Sequence, residues 1–125
     1  MPVRHGSSAS VDLLVTDADT AIAVRSGDVP VLATPRLVAL FEEAAVAAVS
    51  GQFEEGQTSV GMRVQIDHLA PTAVGSVVTA EATLERVDGR RLQFTVAARD
   101  ARGLVGAGKV TRVVVDTERF LDKLS

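Results

Sequence analysis

The sequence predicts an α+β fold in which one long helix lies against an antiparallel sheet. Two observations support this prediction. The segment 34–50 repeats its apolar residues with a helical period, and from residue 58 onward apolar and polar residues alternate with a period of two. Strands that follow one another through short turns pair antiparallel, and a lone apolar helix must cover one face of their sheet. The helix and the strands should therefore share one core.

The helix over 34–50 has recognisable signals at both ends. We expect Thr34 to cap its N-terminus and Pro35 to occupy the first helical position, where a missing N–H costs nothing. Gly51 follows the last apolar residues and is a typical C-terminal stop. A helical wheel places one polar stripe toward solvent. This stripe consists of Arg36, Glu43 and Ser50.

The other side of the helix is apolar except for one carboxylate. It carries Leu37, Val38, Phe41, Ala44, Ala45, Ala48 and Val49. Glu42 falls at the edge of this face, beside Val38 and Val46, where an ionised carboxylate is costly without a polar partner. Burial should raise the pKa of Glu42, which suits a general base. The alternative is a structural ion pair with an arginine such as Arg63.

The chain before the helix is less regular. Residues 1–10 are small or polar, and we expect them to fray. Residues 11–15 and 20–24 are largely apolar and predict a first strand pair or one interrupted strand. Residues 25–30, with the sequence RSGDVP, should form a loop that leads to the helix.

Four alternating strands are predicted after the helix. In the first, 58–68, His68 shares a face with apolar residues while Asp67 points the other way. That face holds Val60, Met62, Val64, Ile66 and His68. The next two strands present the apolar sets Val78, Ala80, Ala82 and Leu84, and Leu92, Phe94, Val96 and Ala98.

Turn signals separate these strands. Asp88-Gly89 predicts a hairpin, and 100–103 predicts a second turn. The fourth strand, 104–115, contains Gly106 and Gly108, which indicate a bulge or a close approach of two backbones. A short helix over 117–124, capped by Thr117, is predicted to end the chain.

Composition limits the possible functions. A chain of 125 residues with 46% apolar and 23% charged residues is expected to be one domain, 1–125. A net charge of −3 argues against general nucleic-acid binding, and the absence of cysteine excludes a thiol nucleophile or thiolate metal site. With no signal-peptide pattern and no apolar run long enough for a membrane span, we expect a cytoplasmic protein.

Three sequence segments together suggest a family. They are Ala33-Thr34 with Glu42 in LVALFEEA, Ser59-Val60-Gly61 with His68 in VQIDHLAPTAVG, and VDGRRLQFTVAARD. These segments resemble the fluoroacetyl-CoA thioesterase-like family of hotdog-fold acyl-CoA thioesterases. The resemblance implies a curved antiparallel sheet of about five to six strands wrapped around one central helix. It also implies a catalytic set of Thr34, Glu42 and His68, with Gly61 at the substrate carbonyl. It further implies a homodimer, or a higher assembly, whose active sites form between subunits.

The implied reaction is hydrolysis of a small acyl-CoA without metal or organic cofactor. Glu42 would attack the thioester or activate water, His68 would transfer a proton, and Thr34 would orient the carboxylate or the substrate. Each residue also has a structural interpretation: Thr34 as a helix cap, His68 as an interior histidine and Gly61 as a bulge residue. Arg91, with Arg86, Arg90 and Arg99, is a candidate for the phosphates of coenzyme A or a solvated surface charge.

Two other functions fit the same fold. One is a hotdog hydratase or dehydratase acting on enoyl thioesters, although those enzymes space an Asp and a His several residues apart, whereas Asp67 and His68 are adjacent. The other is a dimer that binds acyl-CoA without catalysis. Turnover of crotonyl-CoA separates the first from a thioesterase, and ligand binding without thiol release identifies the second.

Overall fold

The computed structural model describes residues 3–125, and its architecture is one long helix packed on a five-stranded antiparallel sheet. The strand order is β1-β3-β4-β5-β2, so β1 and β2 form the two edges. The strands are β1 (Ser8–Leu14), β2 (Gln57–His68), β3 (Val77–Asp88), β4 (Arg91–Asp100) and β5 (Gly103–Asp116). The predicted α+β class is confirmed.

The central helix, α2, spans Thr34–Ala48. Its N-cap is Ala33, and Thr34 is the first helical residue, so the prediction that Thr34 caps the helix was wrong by one position. As a result, the Thr34 hydroxyl does not cap the helix backbone and contacts another side chain instead. At the other end Gly51 adopts a φ of 77°, a left-handed conformation that suits glycine and stops the helix.

The predicted apolar face of α2 forms the core with the inner face of the sheet. Phe41 from the helix and Phe94 from β4 are both fully buried. The wheel missed Leu40, which is 1% exposed, and overestimated Val38, which is only partly buried. The other core contributions from α2 are Leu37, Ala44, Ala45 and Ala48, and those of β3 and β4 are the eight alternating residues predicted for them.

The chain before α2 departs from the prediction. Ser8–Leu14 form β1 and pair with β3, so residues 8–10 do not fray, while residues 1 and 2 lie outside the described part. The predicted second strand at 20–24 is helical: Asp17–Asp19 form a 3-10 turn, followed by a short helix α1, Ala21–Val24. The Thr20 side chain accepts a hydrogen bond from the Ala23 backbone N–H, and this cap overrides the β propensity of the segment.

The C-terminal half follows the predicted order of strands and turns. Gly89 adopts a φ of 60° in the β3–β4 hairpin, as the Asp-Gly signal predicted. The last helix, α3, spans Thr117–Asp122, but its cap is Asp116, whose carboxylate accepts from the Arg119 N–H, and not Thr117. Among residues 3–125, no helix is long and apolar enough to cross a membrane.

A β-bulge in β2 changes which residues face the helix. Gly61 pairs with Arg112 and Arg63 pairs with Thr111, so Met62 is an extra residue in β2. Before the bulge Ser59 and Gly61 face α2, and after it Val64, Ile66 and His68 do. The predicted face of β2 was therefore wrong before the bulge and correct after it, because one inserted residue inverts the alternation.

Gly106 and Gly108 of β5 are positions of close backbone approach. A Cβ atom on Gly106 would lie 2.8 Å from the Asp67 carbonyl oxygen. One on Gly108 would overlap the Gln65 carbonyl oxygen and lie 2.6 Å from the Ile66 Cα. These glycines let the last residues of β2 pack closely against β5. The close approach of two backbones expected from glycines within a strand is confirmed.

The Gly108 contact predicts a large effect on stability. Replacing Gly108 with alanine should lower the free energy of unfolding by about 1–3 kcal/mol, because the methyl group must displace the β2 backbone. Urea denaturation measures this change. Gly27→Ala is the matched control, since a Cβ there meets Ala21 at an ordinary 3.4 Å and should leave stability nearly unchanged. Equal stability of the two variants would contradict the close approach.

Candidate active site

The Glu42 side chain lies directly over Gly61. A Cβ atom on Gly61 would come within 2.5 Å of Glu42 Oε2, so only glycine leaves room for the carboxylate. The helix positions Glu42 at the edge of its apolar face, and the bulge in β2 turns Gly61 toward it. Glu42 retains 35% side-chain exposure, which leaves the carboxylate accessible from a surface groove.

The partner of Glu42 is Arg112 of β5, not Arg63. Arg112 Nη1 donates to Glu42 Oε2 at 3.2 Å. Arg63 follows the bulge and lies on the outer face of the sheet, opposite the helix. The structural ion pair considered from the sequence therefore exists with a different arginine. The ion pair places a guanidinium group beside the Glu42 carboxylate, at a position of the helix where the sequence pattern indicated mainly apolar neighbours.

Arg112 is itself held in place by Ser59. Its Nε donates to Ser59 Oγ at 2.8 Å, and its Nη2 donates to the Ser59 carbonyl oxygen at 2.9 Å. The guanidinium is only 8% exposed. Burial lowers the pKa of Arg112 from its usual value, and the Glu42 carboxylate opposes that effect. All three guanidinium nitrogens of Arg112 therefore donate hydrogen bonds. The two bonds to Ser59 of β2 fix the orientation in which the guanidinium group contacts Glu42.

A second pair of side chains meets at the N-terminus of α2. The Thr34 hydroxyl lies 2.7 Å from His68 Nδ1. Thr34 reaches the imidazole because it is the first residue of the helix, and His68 reaches it because it ends β2 on the inner face. The sequence analysis did not predict this contact, which orients the imidazole ring.

The surroundings of the His68 imidazole favour its neutral form. Burial lowers the pKa of His68 from its usual value, and an interaction with the Ala70 backbone raises it to a smaller extent. Its Nε2 atom is buried and makes no hydrogen bond with any group in residues 3–125. A neutral ring with one nitrogen held by Thr34 and the other unpartnered is suited to accept a proton.

Within one protomer the two pairs are separate. Thr34 and Glu42 are eight residues apart on α2, which is about 12 Å along a helix. Glu42 and Arg112 line a groove of about 550 Å³, whereas Thr34 and His68 line another of about 230 Å³. The structure therefore brings Glu42 to Gly61 and His68 to Thr34, but places these pairs at two different ends of the helix–strand contact.

Two site residues escaped the sequence analysis. Arg112 has a detectable signal, because it occupies the inward register of β5 between Val110 and Val114, where an arginine requires a buried anion. Ser59 carries no comparable signal, since its burial depends on the bulge.

The predicted candidate Arg91 lies exposed on the outer face of β4, opposite the face that carries Glu42. It lines a cleft with other arginines.

Comparisons with known proteins identify the family and the fold. A family model for the fluoroacetyl-CoA-specific thioesterase FlK matches residues 15–118. The fluoroacetyl-CoA thioesterase of Streptantibioticus cattleyicolor is 38% identical over 94 residues, which cover 75% of this chain and 68% of that protein. A solved structure of the fluoroacetyl-CoA thioesterase FlK matches with a TM-score of 0.92 at 32% identity, covering 99% of this chain and 96% of that one.

A second solved structure has the same fold. A hot-dog-like protein from Thermanaerovibrio acidaminovorans matches with a TM-score of 0.89 at 30% identity, covering 96% of this chain and 89% of that one. The fold, with its helix-borne carboxylate above a strand glycine, defines a hotdog-fold thioesterase. The chain belongs to the fluoroacetyl-CoA-specific thioesterase family, and the resemblance inferred from its motifs is confirmed.

The environment of His68 predicts its titration. In a His5→Gln variant, which leaves one imidazole, His68 should titrate below the unperturbed value of about 6.5. Between the two values the unfolded chain binds more protons, so the free energy of unfolding rises with pH through that window. The contribution of His68 is complete above about pH 6.5 and is lost as the pH falls below it.

NMR of the imidazole carbon-bound protons measures this pKa, and the same variant in urea supplies the unfolded reference. A folded-state value at or above the value in urea would show that the ring is solvated rather than buried.

Proposed function

We propose that this protein hydrolyses a small acyl-CoA thioester in the cytoplasm. The observation that supports the proposal most is the Glu42 carboxylate, which is held by Arg112 over the space that Gly61 leaves open. The family model and the curated relative named above are both described as thioesterases for fluoroacetyl-CoA. Phe41 and Phe94 are buried in the core, so aromatic side chains are scarce around the site, and we propose a short acyl group without a requirement for fluorine.

Glu42 has two chemically balanced routes in this proposal. As a nucleophile, its carboxylate attacks the thioester carbonyl, the bond to sulfur breaks, and coenzyme A leaves as the thiolate while an anhydride forms. Water then hydrolyses the anhydride. As a general base, Glu42 instead removes a proton from the water that attacks the carbonyl, the bond to sulfur breaks, and coenzyme A again leaves as the thiolate. Both routes need an ionised carboxylate, and the Arg112 guanidinium stabilises that charge.

The remaining residues have supporting roles. In the tautomer whose Nδ1–H donates to the Thr34 hydroxyl oxygen, His68 accepts a proton at its unpartnered Nε2, and Thr34 fixes the ring. Gly61 allows the substrate carbonyl to approach the β2 backbone, where an N–H stabilises the oxyanion. These roles need Glu42 and His68 in one pocket, which a protomer alone does not provide.

We propose that a homodimer unites the two halves of the site. β2 is an edge strand of 12 residues, and its outer backbone edge is unpaired in the protomer. Such an edge is a template for a further strand. Pairing two copies through β2 continues the sheet and keeps both central helices on one side of it.

The alternation of β2 restricts the register of this dimer. Residues opposite one another in antiparallel strands share a face, so inward residues must meet inward residues. A two-fold axis through Gln65 does this, because it places Val64 opposite the partner subunit's Ile66. The same axis brings His68 to the bulge at Gly61 of the partner subunit, beneath its carboxylate.

Substitutions in the two halves test catalysis and its sharing between subunits. Glu42→Gln keeps an acceptor for Arg112, and both it and His68→Ala should lower kcat/KM for acetyl-CoA by about 10²–10⁴-fold. Mixing the two variants after subunit exchange should restore up to about a quarter of the activity, because half of the dimers are mixed and each has one intact site. Thiol release measures each rate.

Circular dichroism confirms folding of each variant, and mixing two batches of Glu42→Gln is the control for exchange. Folded variants that both turn over at the wild-type rate would end the catalytic assignment. Loss of the crotonyl-CoA double bond without thiol release would indicate a hydratase. Thermal stabilisation by acyl-CoA without thiol release would indicate a binding protein.

Cross-linking tests the proposed register. The chain has no cysteine, so Gln65→Cys introduces a single thiol, which lies next to its symmetry mate on the axis and should form an intersubunit disulfide on oxidation. Asp67→Cys is the control on the same outward face, displaced from the axis, and should remain reduced. Gel mobility and light scattering should show twice 13.1 kDa. A monomeric mass, or equal cross-linking of both variants, excludes this dimer.

A further inference from the structure

Three arginines from three different strands converge on one cleft in the outer face of the sheet. Arg63 comes from β2, Arg86 from β3 and Arg91 from β4. The arginine cleft, as we name it, also contains Asp88, Gln93 and Thr111. Arg86 and Arg91 belong to one β-hairpin, and pairing of β2 and β5 within the sheet brings the distant Arg63 and Thr111 to it. The cleft lies on the face opposite the helix, separate from the groove that contains Glu42.

The charge of the arginine cleft is not balanced by the protein. None of its three guanidinium groups makes an ion pair or a side-chain hydrogen bond with a group in residues 3–125. Glu85, the neighbouring carboxylate on β3, is bound by Lys109 at 3.0 Å and by the Thr95 hydroxyl. Asp88 alone therefore faces three cations, although the chain as a whole has a net charge of −3.

The size and donors of the cleft select the anion. Its volume of about 170 Å³ is roughly that of six water molecules in the liquid, enough for phosphate groups but not for a whole nucleotide. Guanidinium groups bind phosphate oxygens through paired N–H donors, and the Gln93 amide and Thr111 hydroxyl add neutral donors. A single carboxylate would leave most of these donors unused.

We infer that the arginine cleft binds the phosphate groups of the coenzyme A thioester. This inference rests on the proposed function, and it extends the candidate role of Arg91 to a site that includes Arg63 and Arg86. Arg63 lies two residues beyond Gly61, on the other side of the bulge. One irregularity in β2 therefore presents Gly61 to the reacting carbonyl on one face and Arg63 to the phosphates on the other.

Binding of adenosine 3′,5′-bisphosphate tests the inference without any need for turnover. Isothermal titration calorimetry should show about tenfold weaker binding for Arg86→Gln and for Arg91→Gln, since each removes a charged hydrogen-bond donor. Arg102→Gln is the matched control, because Arg102 is exposed in the β4–β5 turn at the opposite end of these strands. Wild-type affinity in both cleft variants overturns the inference.

Two further measurements complete the test. One distinguishes free phosphate from coenzyme A as the ligand of the cleft, and the other distinguishes phosphate binding from the proposed thioester hydrolysis. Inorganic phosphate should bind more weakly than the bisphosphate, and equal binding would show a site for free phosphate instead. For acyl-CoA, the cleft variants should raise KM and leave kcat unchanged, while acetyl-pantetheine, which has no phosphate, should be hydrolysed at the same kcat/KM by all variants. If no thioester is hydrolysed but the calorimetric differences persist, the proposed reaction fails and the phosphate site stands.

Discussion

The buried guanidinium of Arg112 is the group on which the organisation of the site depends. It is 8% exposed, so it requires an anion and further acceptors, and Glu42 and Ser59 supply them. These bonds join the central helix to β5 and to the edge strand β2. The carboxylate is thereby held in one place on an otherwise apolar helix face, charged and partly accessible.

The bulge in β2 makes this arrangement sterically possible. Without the bulge and its extra residue Met62, regular alternation along β2 would place Gly61 and His68, seven positions apart, on opposite faces. With it, both residues face the helix, and the missing side chain of Gly61 provides the volume that Glu42 occupies. The same extra residue sends Arg63 to the outer face, so a single irregularity determines the chemistry on both sides of the strand.

The position of β2 at the edge relates the protomer to the proposed dimer. The Thr34–His68 pair and the Glu42–Gly61 pair are each complete in one chain, yet they are separated by two turns of α2. A strand edge that is long and unpaired offers a geometric solution, since a two-fold axis places unlike ends of the same strand beside each other. In the proposed function, the unpaired edge of β2 is therefore needed to assemble the active site between two subunits.

The sequence by itself determined the elements whose signals are local: the periodic helix, the alternating strands with their glycine turns, and the family motifs that contain Thr34, Glu42, Gly61 and His68. It failed at 20–24, where the Thr20 cap overrode strand propensity, and at the helix start, where one position of error hid the Thr34–His68 contact. Only the tertiary structure identified Arg112 as the partner of Glu42 and assembled the arginine cleft. The physical reason is that a bulge and a strand register are set by pairing between distant segments, which no local pattern records.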